Sequence, residues 1–353
     1  MCHKTLDESM LQVQIVRDDR YLRHKTGLSH PESPARLSAV YRMLDWDHPG
    51  GFIEKQARPI TLEDLERVHT PAYVRIILAT ARQRLTHLAP DTIASRDSCL
   101  AAWLAAGGCV LGVDDLLAGR CQACLVLCRP PGHHALADRA GGFCIFNNLG
   151  LAARHALRRG LRRVLIVDWD IHHGNALQNL FYADDRVVYL STHLPNAYPF
   201  TGKLGEVGVG PGAGHTINLP LPPKWGDNDA MTLYRVVLEQ LVERFSPEMI
   251  MVACGFDAHF RDPIGATLQT EASYAGLAQL VATLGPRNND IPLLLALEGG
   301  YDPDTLTACV AEVLAALQDQ RHGQAVWSAQ SQKADELLAR AGRVHAGFGL
   351  WLD

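Results

Sequence analysis

The chain has 353 residues, of which 47% are hydrophobic and 20% are charged, a composition that is typical of one globular domain and excludes extended disorder. The formal net charge of -5 gives no basic face of the kind that direct nucleic-acid binding needs. The first residues lack the apolar core of a signal peptide, and we find no apolar run of about 18 residues that would cross a membrane. We therefore expect a cytoplasmic protein with no nucleic-acid or membrane partner, while a homo-oligomer stays open.

The first third of the chain predicts one short strand and several helices. The strand is the run VQIVRD, and the helices are predicted over 34–46, 71–85 and 98–117. Ser33 is a candidate N-cap for the first helix, and Thr61 opens a capping box ahead of the second. Within the third, the paired glycines Gly107 and Gly108 indicate close packing against a neighbouring element.

From about residue 121 the chain repeats one pattern, an apolar run followed by a polar cluster and an amphipathic helix. The pairs are CLVLC with RPPGHH, RVLIV with DWDIHH, RVVYL with STH, MIMVAC with GFDAH, and PLLLAL with EGGY. Apolar strands that alternate with helices predict a parallel sheet covered on both faces, and ligands of such sheets bind beyond the carboxyl ends of the strands. All five polar clusters fall at that edge.

Two other segments are less regular. Residues 195–223 are rich in glycine and proline and predict a long functional loop. The tail after about residue 320 predicts one closing helix.

Nine cysteines include Cys121 and Cys124 at CxxC spacing, with Cys128 close by. Because a zinc or redox site would need a second pair or a redox fold, we expect inert buried thiols here.

A metal site is predicted where one strand ends. Asp168, Asp170 and His172 alternate, so their side chains would project to one side. With Asp257 from a later strand, Asp170 and His172 would offer two carboxylate oxygens and one imidazole nitrogen, and would leave positions for water and substrate. Zn²⁺ fits this set, and Fe²⁺ or Co²⁺ is conceivable because the set is harder than a histidine-rich site. The alternative is a purely structural hydrogen-bonded pair of Asp170 and His172.

A general base is the second requirement. Two carboxylates neutralise the charge of a divalent ion, so a protein group must help to deprotonate its water. His133 and His134 follow a Pro-Pro-Gly turn and supply two imidazoles, although such a pair can also be a surface or core feature. Asp168 would orient one imidazole and raise its basicity, and Asn175 would leave the other closer to neutral.

The remaining candidates would contact the substrate. Tyr301, presented by two glycines, can donate its hydroxyl to a carbonyl oxygen opposite the metal, as an oxyanion-stabilising group. Phe143 and Tyr198 would wall a narrow channel for an alkyl chain. For all three aromatic residues, plain packing in the core is the alternative.

Five ordered blocks of the sequence resemble the zinc-dependent histone deacetylase family of the arginase/deacetylase superfamily. The blocks are RPPGHHA (129–135), GFCIFNN (142–148), DWDIHHGN (168–175), GFDAHFRDP (255–263) and LEGGYD (297–302). The resemblance covers about residues 15–320. Asn175 stands where the class I branch has aspartate, and Tyr301 is kept where weakly active class IIa members have histidine. The chain is thus similar to class II-like bacterial histone deacetylase-like amidohydrolases.

The resemblance implies a single three-layer α/β/α domain over 1–353, with a mainly parallel sheet of about eight strands and a C-terminal helical extension over about 321–353. It implies zinc on Asp170, His172 and Asp257, a catalytic His133–His134 pair, and Tyr301 polarising the amide carbonyl. It also implies structural K⁺ held through Asp168, Asp170, His172, Ser191 and Thr192, with a second site near Phe181 and Val187.

For the substrate, the resemblance implies an acyl-lysine tunnel walled by Phe143 and Tyr198, with Gly142 accepting from the substrate amide. Arg36 matches a residue near the acetate exit route. Asp91 is a candidate acceptor at the rim for substrate backbone amides, or else a turn residue.

Two departures from the family pattern bear on specificity. Phe200 stands at a glycine position of the long loop, where a bulky side chain would reshape the tunnel rim. Ile264 stands where acetylpolyamine-selective members have an acidic residue, and residues 23–34 lack the long insertion of those members. The expected partners are therefore acetylated lysine side chains, with small acetylated amines such as acetylpolyamines as the alternative. A longer-chain or lactyl-lysine deacylase and a catalytically silent acyl-lysine binding module also stay open.

Overall fold

The computed structural model of the chain describes residues 11–46, 51–265, 267–318 and 330–351. At its centre is an eight-stranded sheet in which every neighbouring pair is parallel. The strands are β1 (Val13–Val16), β2 (Phe52–Lys55), β3 (Leu85–Ala89), β4 (Thr92–Ser95), β5 (Ala123–Val126), β6 (Val164–Asp168), β7 (Val187–His193), β8 (Thr216–Pro220), β9 (Met249–Cys254) and β10 (Leu293–Leu297). The order across the sheet is β2-β1-β5-β10-β9-β6-β7-β8, and β3 and β4 form a separate antiparallel hairpin.

Helices flank the sheet in two groups. They are α1 (Pro34–Trp46), α2 (Leu62–Glu66), α3 (Pro71–Thr80), α4 (Ser98–Leu117), α5 (Asn148–Arg158), α6 (Asn175–Phe181), α7 (Asp227–Phe245), α8 (Glu271–Ala282), α9 (Pro303–Leu317) and α10 (Gln332–His345). In one group α1, α9, α8, α7 and α10 pack in series, and in the other α4 packs on α5. Because both faces are covered, every residue of β5, β6, β9 and β10 is buried. The predicted α/β/α architecture is confirmed.

Helix α4 packs as its glycine pair predicts. A side chain at Gly107 would overlap the carbonyl oxygen of Arg58, so only glycine lets the two backbones approach so closely. Among the described residues, α4 is the one helix that is long and apolar enough to cross a membrane, which corrects the expectation that the chain has no such run. However, 72% of this window is buried inside the protein, as in the core helix of a globular domain.

Two local predictions are wrong. The helix predicted over 71–85 ends at Thr80, because residues 81–84 are exposed and offer no apolar face, and Leu85 opens the β3–β4 hairpin. The predicted loop over 195–223 contains β8, a five-residue strand hidden among glycines and prolines. No apolar run predicts strand β2, which is an edge strand and only half buried.

The described part of the tail contains the predicted closing helix, α10. It packs on α7, where the Lys333 ammonium lies 2.9 Å from the Asp229 carboxylate and the Ser331 hydroxyl donates to the same side chain at 2.5 Å. Residues 1–10, 319–329 and 352–353 lie outside the described part, so a single domain over 1–353 and an extension from residue 321 stay predictions.

The cysteines of the described chain are buried and free, as expected for inert core thiols. Burial raises the pKa of Cys121 to about 12, so its reactive thiolate form is scarce at neutral pH. Cys124 and Cys128 lie in and directly after β5, inside the core cluster.

Candidate active site

The polar clusters lie at the carboxyl edge of the sheet. Strand β6 ends at Asp168, which pairs in register with Ser191 of β7 and Ala253 of β9. Asp170 and His172 therefore stand on the loop beyond the strand, and strand alternation does not place them as predicted. Instead the loop is fixed by backbone hydrogen bonds, in which the Asp170 and His172 amides donate to the Asp168 and Asp170 carboxylates at 3.3 and 2.8 Å.

Asp170, His172 and Asp257 form a compact set of donors. One ligand atom from each lies within 4.8 Å of the other two, and both carboxylates are fully buried. The His172 Nδ1 atom lies 2.9 Å from Asp257 Oδ2 and 3.2 Å from Asp170 Oδ1. The backbone also holds the carboxylates, because the Ile171 amide donates to Asp257 at 3.0 Å and the Gly299 amide donates to Asp170 at 2.8 Å.

The electrostatics of this set favour a cation. Burial, and next the Asp170 carboxylate, raise the pKa of Asp257 to about 7. Burial alone would lower the pKa of His172, but Asp257 and Asp170 outweigh it and raise that pKa to about 11. The two buried carboxylates raise the proton affinity of the imidazole between them, and a divalent ion would neutralise the same negative charge. The donor set therefore fits a metal with oxygen and nitrogen ligands.

The two imidazoles of the histidine pair lie side by side, with ring centroids 3.9 Å apart, and they have different partners. His133 Nδ1 lies 3.2 Å from the Asp168 carboxylate, and the Tyr189 hydroxyl donates to that same carboxylate oxygen at 2.8 Å. His134 Nδ1 lies 2.9 Å from Asn175 Oδ1. One imidazole thus faces a carboxylate and the other faces a neutral amide.

These partners separate the two proton affinities. Burial lowers the pKa of His133 by itself, but the Asp170 and Asp168 carboxylates raise it to about 10. Burial, and next the charge of His133, hold the pKa of His134 well below its usual value. In the chain alone, His133 carries the proton and His134 is neutral.

Glu298 is a further site residue, and the motifs predict no role for it. It is fully buried, and its Oε2 atom accepts from the backbone amides of Gly132 and His133 at 2.6 and 3.1 Å. Its Oε1 atom has no partner among the described residues. Burial raises the pKa of Glu298 to about 7. The signal was present in the sequence, since a carboxylate directly after the buried run PLLLAL needs compensation.

Tyr301 lies over a buried cation. The Arg36 guanidinium is 4.9 Å from the centroid of the Tyr301 ring, and it donates to the backbone carbonyls of Gly300 and, at 2.5 Å, Glu298. The Tyr301 amide donates to Asp262 at 2.6 Å. Asp262, like Glu298, was not singled out from the sequence. Burial, followed by the Asp257 and Asp170 carboxylates, raises the pKa of Tyr301 well above its usual value, so the hydroxyl keeps its proton to donate.

Each candidate channel wall contacts a different member of the catalytic set. The Tyr198 ring centroid is 5.0 Å from that of His134, and the Phe143 ring centroid is 5.6 Å from that of Tyr301. Gly142 lies flush against His134, at a φ of +54°. Its carbonyl accepts from the Cys144 thiol at 3.3 Å.

Asp91 lies at the turn of the β3–β4 hairpin and is bonded within the chain. Its Oδ2 atom accepts from the Gly142 amide at 3.1 Å, and its Oδ1 atom accepts from the Thr92 hydroxyl at 2.8 Å. The Thr92 hydroxyl oxygen accepts in turn from the Phe143 amide at 3.0 Å. The hairpin therefore fixes the loop that carries Phe143.

The specificity and potassium candidates occupy different environments. Ile264 is 36% exposed and Phe200 is 73% exposed, so solvent reaches both side chains. The candidates for K⁺ beyond the metal loop, Ser191, Thr192, Phe181 and Val187, are all buried. The Thr192 hydroxyl is bonded to that of Tyr234 at 2.6 Å.

An open parallel α/β/α sheet with a three-donor cluster and a histidine pair at its carboxyl edge defines the class of protein. It has the arginase/deacetylase fold.

Comparison with known proteins identifies the family within that class. The profile described as the histone deacetylase domain matches residues 30–317. The chain is 36% identical to a probable deacetylase of Archaeoglobus fulgidus, over 81% of this chain and 80% of that protein. It is also 36% identical to histone deacetylase 15 of Arabidopsis thaliana, over 85% of this chain and 55% of that protein, so it spans about half of that relative. The crystal structure of the HDA15 HD domain matches with a TM-score of 0.89 and 34% identity, over 96% of this chain and 95% of that one.

The chain therefore belongs to the histone deacetylase family, as its motifs predicted, and it is a hydrolase of the deacetylase type.

Proposed function

We propose that the protein is a zinc-dependent amidohydrolase that cleaves the acetamide of acetyl-lysine-type substrates and releases acetate and a free amine. The observation that carries this proposal is the pairing of two buried imidazoles with unlike partners, Asp168 and Asn175, beside the three-donor cluster. This arrangement offers a proton acceptor and a proton donor a short distance from one metal site.

Asp170, His172 and Asp257 would hold the metal. When bound, Zn²⁺ would polarise the substrate carbonyl and lower the pKa of a water molecule, and Fe²⁺ or Co²⁺ would supply the same chemistry. The chain's own contribution is a fixed set of donors, held by the backbone amides of Ile171 and Gly299.

The histidine pair would divide the proton transfers. The Asn175 oxygen holds Nδ1–H of His134, so the Nε2 lone pair of this neutral ring is free to accept a proton from the attacking water. His133, paired with the Asp168 carboxylate, keeps its proton and provides positive charge near the developing oxyanion. The departing amine then receives a proton from the pair.

Tyr301 would donate its hydroxyl to the substrate oxygen as negative charge develops. Arg36 lies against the face of the Tyr301 ring and so supports its position. The ring of Phe143 contacts that of Tyr301 edge to face, so one channel wall and the oxyanion donor are packed together.

The substrate is proposed from the channel and its rim. Aromatic walls from Phe143 and Tyr198 suit the alkyl chain of an acylated lysine, with Gly142 as an acceptor for its amide and Asp91 for its backbone. The half-exposed Ile264 brings no charge that would favour the second ammonium of an acetylpolyamine. We also propose structural K⁺ at the predicted positions, the acetate exit route at the buried Arg36, and a cytoplasmic location.

A panel of acyl substrates with metal analysis tests this function. The protein is stripped with a chelator, reloaded with Zn²⁺, Fe²⁺ or Co²⁺, and assayed on an acetyl-lysine peptide, a lactyl-lysine peptide, a longer acyl-lysine peptide and acetylputrescine. We expect activity to depend on the metal and kcat/KM to be highest for the acetyl-lysine peptide. A higher value for acetylputrescine or a longer acyl group would support those alternatives, and a metal-replete protein that is inactive on the whole panel would indicate a binding module.

A further inference from the structure

His173 follows the metal ligand His172 but does not join the donor cluster. It is 1% exposed, with Nδ1 2.7 Å from the Thr201 hydroxyl and Nε2 2.9 Å from Gln178 Oε1. We propose that His173 and His193 are positioning residues that hold the rim segment, residues 198–202, over the catalytic pair and thereby set substrate affinity. This inference rests on the proposed deacetylation, which it deepens by assigning residues outside the metal and histidine sets.

The rim segment needs such support because its backbone is strained. Phe200 has a φ of +65°, in the left-handed region that a bulky side chain such as phenylalanine rarely adopts. Phe200 is 73% exposed, so packing of its side chain does not compensate for this strain. Contacts on the neighbouring residues must therefore fix the conformation.

The first tether is the hydrogen bond between His173 and Thr201, and its direction follows from the hydrogen bonds that begin at Glu206. A carboxylate only accepts, so the nitrogen of Gln178, 2.7 Å away, must face Glu206, and the Gln178 oxygen must face His173. The His173 Nε2 atom then carries the proton. In the neutral ring Nδ1 is an acceptor, and the Thr201 hydroxyl must donate to it. Glu206 therefore determines the tautomer of His173, and His173 in turn holds the position of the rim segment through Thr201.

The second tether is made by His193. Its Nε2–H donates to the Gly202 carbonyl at 2.7 Å, and its Nδ1 atom accepts from the Ser191 hydroxyl at 2.9 Å. The Gly202 amide donates to the Glu206 carboxylate at 3.2 Å. Gly202 has a φ of +82°, and a side chain there would overlap both His193 and the ring of His173. The ring centroids of His173 and His193 are 4.7 Å apart. We call these two imidazoles the seat of Gly202, because a larger residue at position 202 would overlap them.

The seat connects the rim to the catalytic pair. Residue 198 precedes the tethered positions and carries the ring that lies 5.0 Å from His134. The amide of Asn175, the partner of His134, donates to the His173 carbonyl at 2.8 Å. Loosening the tether frees the Tyr198 wall and leaves the proton-transfer groups in place. We therefore expect KM to rise more than kcat falls.

Thr201→Val and Thr201→Ser test the tether. Valine keeps the branched shape but removes the donor to His173, whereas serine keeps the donor. Thr201 is chosen because a change at His173 would disturb the adjacent ligand His172. For an acetyl-lysine peptide we expect Thr201→Val to raise KM by about tenfold, with kcat within about twofold, because one partly buried hydrogen bond is lost. Thr201→Ser should stay within about twofold of wild type in both constants.

Two measurements without substrate accompany the kinetics. Nitrogen-15 chemical shifts of the imidazoles should show His173 protonated at Nε2 in all three proteins, with the hydrogen-bond shift of Nδ1 lost only in Thr201→Val. Amide hydrogen exchange over 196–206 should become faster in the same variant only.

An unchanged KM in Thr201→Val, equal impairment by valine and serine, or a His173 ring protonated at Nδ1 would each overturn the tether. Failure of the proposed function is a different result, in which the metal-replete wild type cleaves no acyl amide. The nitrogen shifts and the hydrogen exchange still decide on the tether in that case.

Discussion

Two regions of the site are built in opposite ways. The catalytic floor, consisting of His133, His134, Asp170, His172 and Asp257, lies on short loops directly after buried strands, and its polar atoms are bound by backbone amides and buried partners. The rim segment lies between β7 and β8, is largely exposed, and holds a strained backbone through side-chain tethers. The sheet therefore positions the catalytic residues, whereas the side chains beneath the rim segment hold the entrance of the channel in place.

The largest effect is expected from the floor. Asp257→Ala removes one of the three proposed metal ligands and leaves two. Metal affinity should therefore fall by more than about a hundredfold, the upper effect of changing an outer-shell partner. Activity at fixed metal concentration should fall with it. Metal competition with a coloured chelator measures the affinity. The matched control is Asp335→Asn on the exposed face of α10, which should bind metal like wild type.

The groups that transfer protons and stabilise the oxyanion come next. Tyr301→Phe and His134→Ala should each lower kcat on an acetyl-lysine peptide by at least about a hundredfold, while the metal content stays the same. Tyr274→Phe is the control, because its buried hydroxyl has no partner among the described residues. Rates near wild type in Tyr301→Phe or His134→Ala would contradict the assigned roles.

Glu298 tests how the floor is held. Glu298→Ala leaves the buried amides of Gly132 and His133 without an acceptor, so the free energy of unfolding should fall by about 3 kcal/mol. Glu298→Gln keeps an acceptor oxygen, so its free energy of unfolding should fall by less. Denaturant titration measures both, and equal losses would show that the two amides do not depend on this oxygen.

The same residue predicts a pH dependence. The pKa of Glu298 is raised by burial from 4.5 to about 7, so between these values the folded protein binds more protons here than the unfolded chain. Its contribution to stability is greatest below pH 4.5 and is lost as the pH rises through about 7. The difference in unfolding free energy between wild type and Glu298→Gln should therefore change over that window, and a constant difference would refute the raised pKa.

The smallest effect is expected at the rim. An L-residue at a left-handed backbone position costs about 1–2 kcal/mol, and Phe200→Gly relieves this strain. The greater flexibility of glycine in the unfolded chain costs about 0.5–1 kcal/mol in return. The unfolding free energy should rise by about 1 kcal/mol or less, with kcat unchanged. A loss of stability would show that the Phe200 ring makes contacts that outweigh the strain.

The floor was predictable from the sequence because each functional cluster follows an apolar strand. Parallel strands then bring residues as distant as His133 and Asp257 to one edge. The rim was not predictable in the same way. Strand β8 is hidden in a glycine-rich segment, and the partners of His173 come from α6 and from the loop before β8, so no local pattern links them. Glu298 carries a signal in the sequence, because its charge directly follows an apolar run. Asp262 lies eight residues beyond β9 and has no such signal.

The glycines of α4 limit how this protein can be engineered. Replacing helical glycine with alanine is a common way to gain thermostability, because alanine lowers the entropy of the unfolded chain and favours the helix. At Gly107 the added methyl group would overlap the Arg58 backbone, which cannot yield as a flexible side chain would. A mutational scan for expression level should find position 107 intolerant of every other residue. Gly119, just past the helix, has open space around it and should accept asparagine, which tolerates its positive φ.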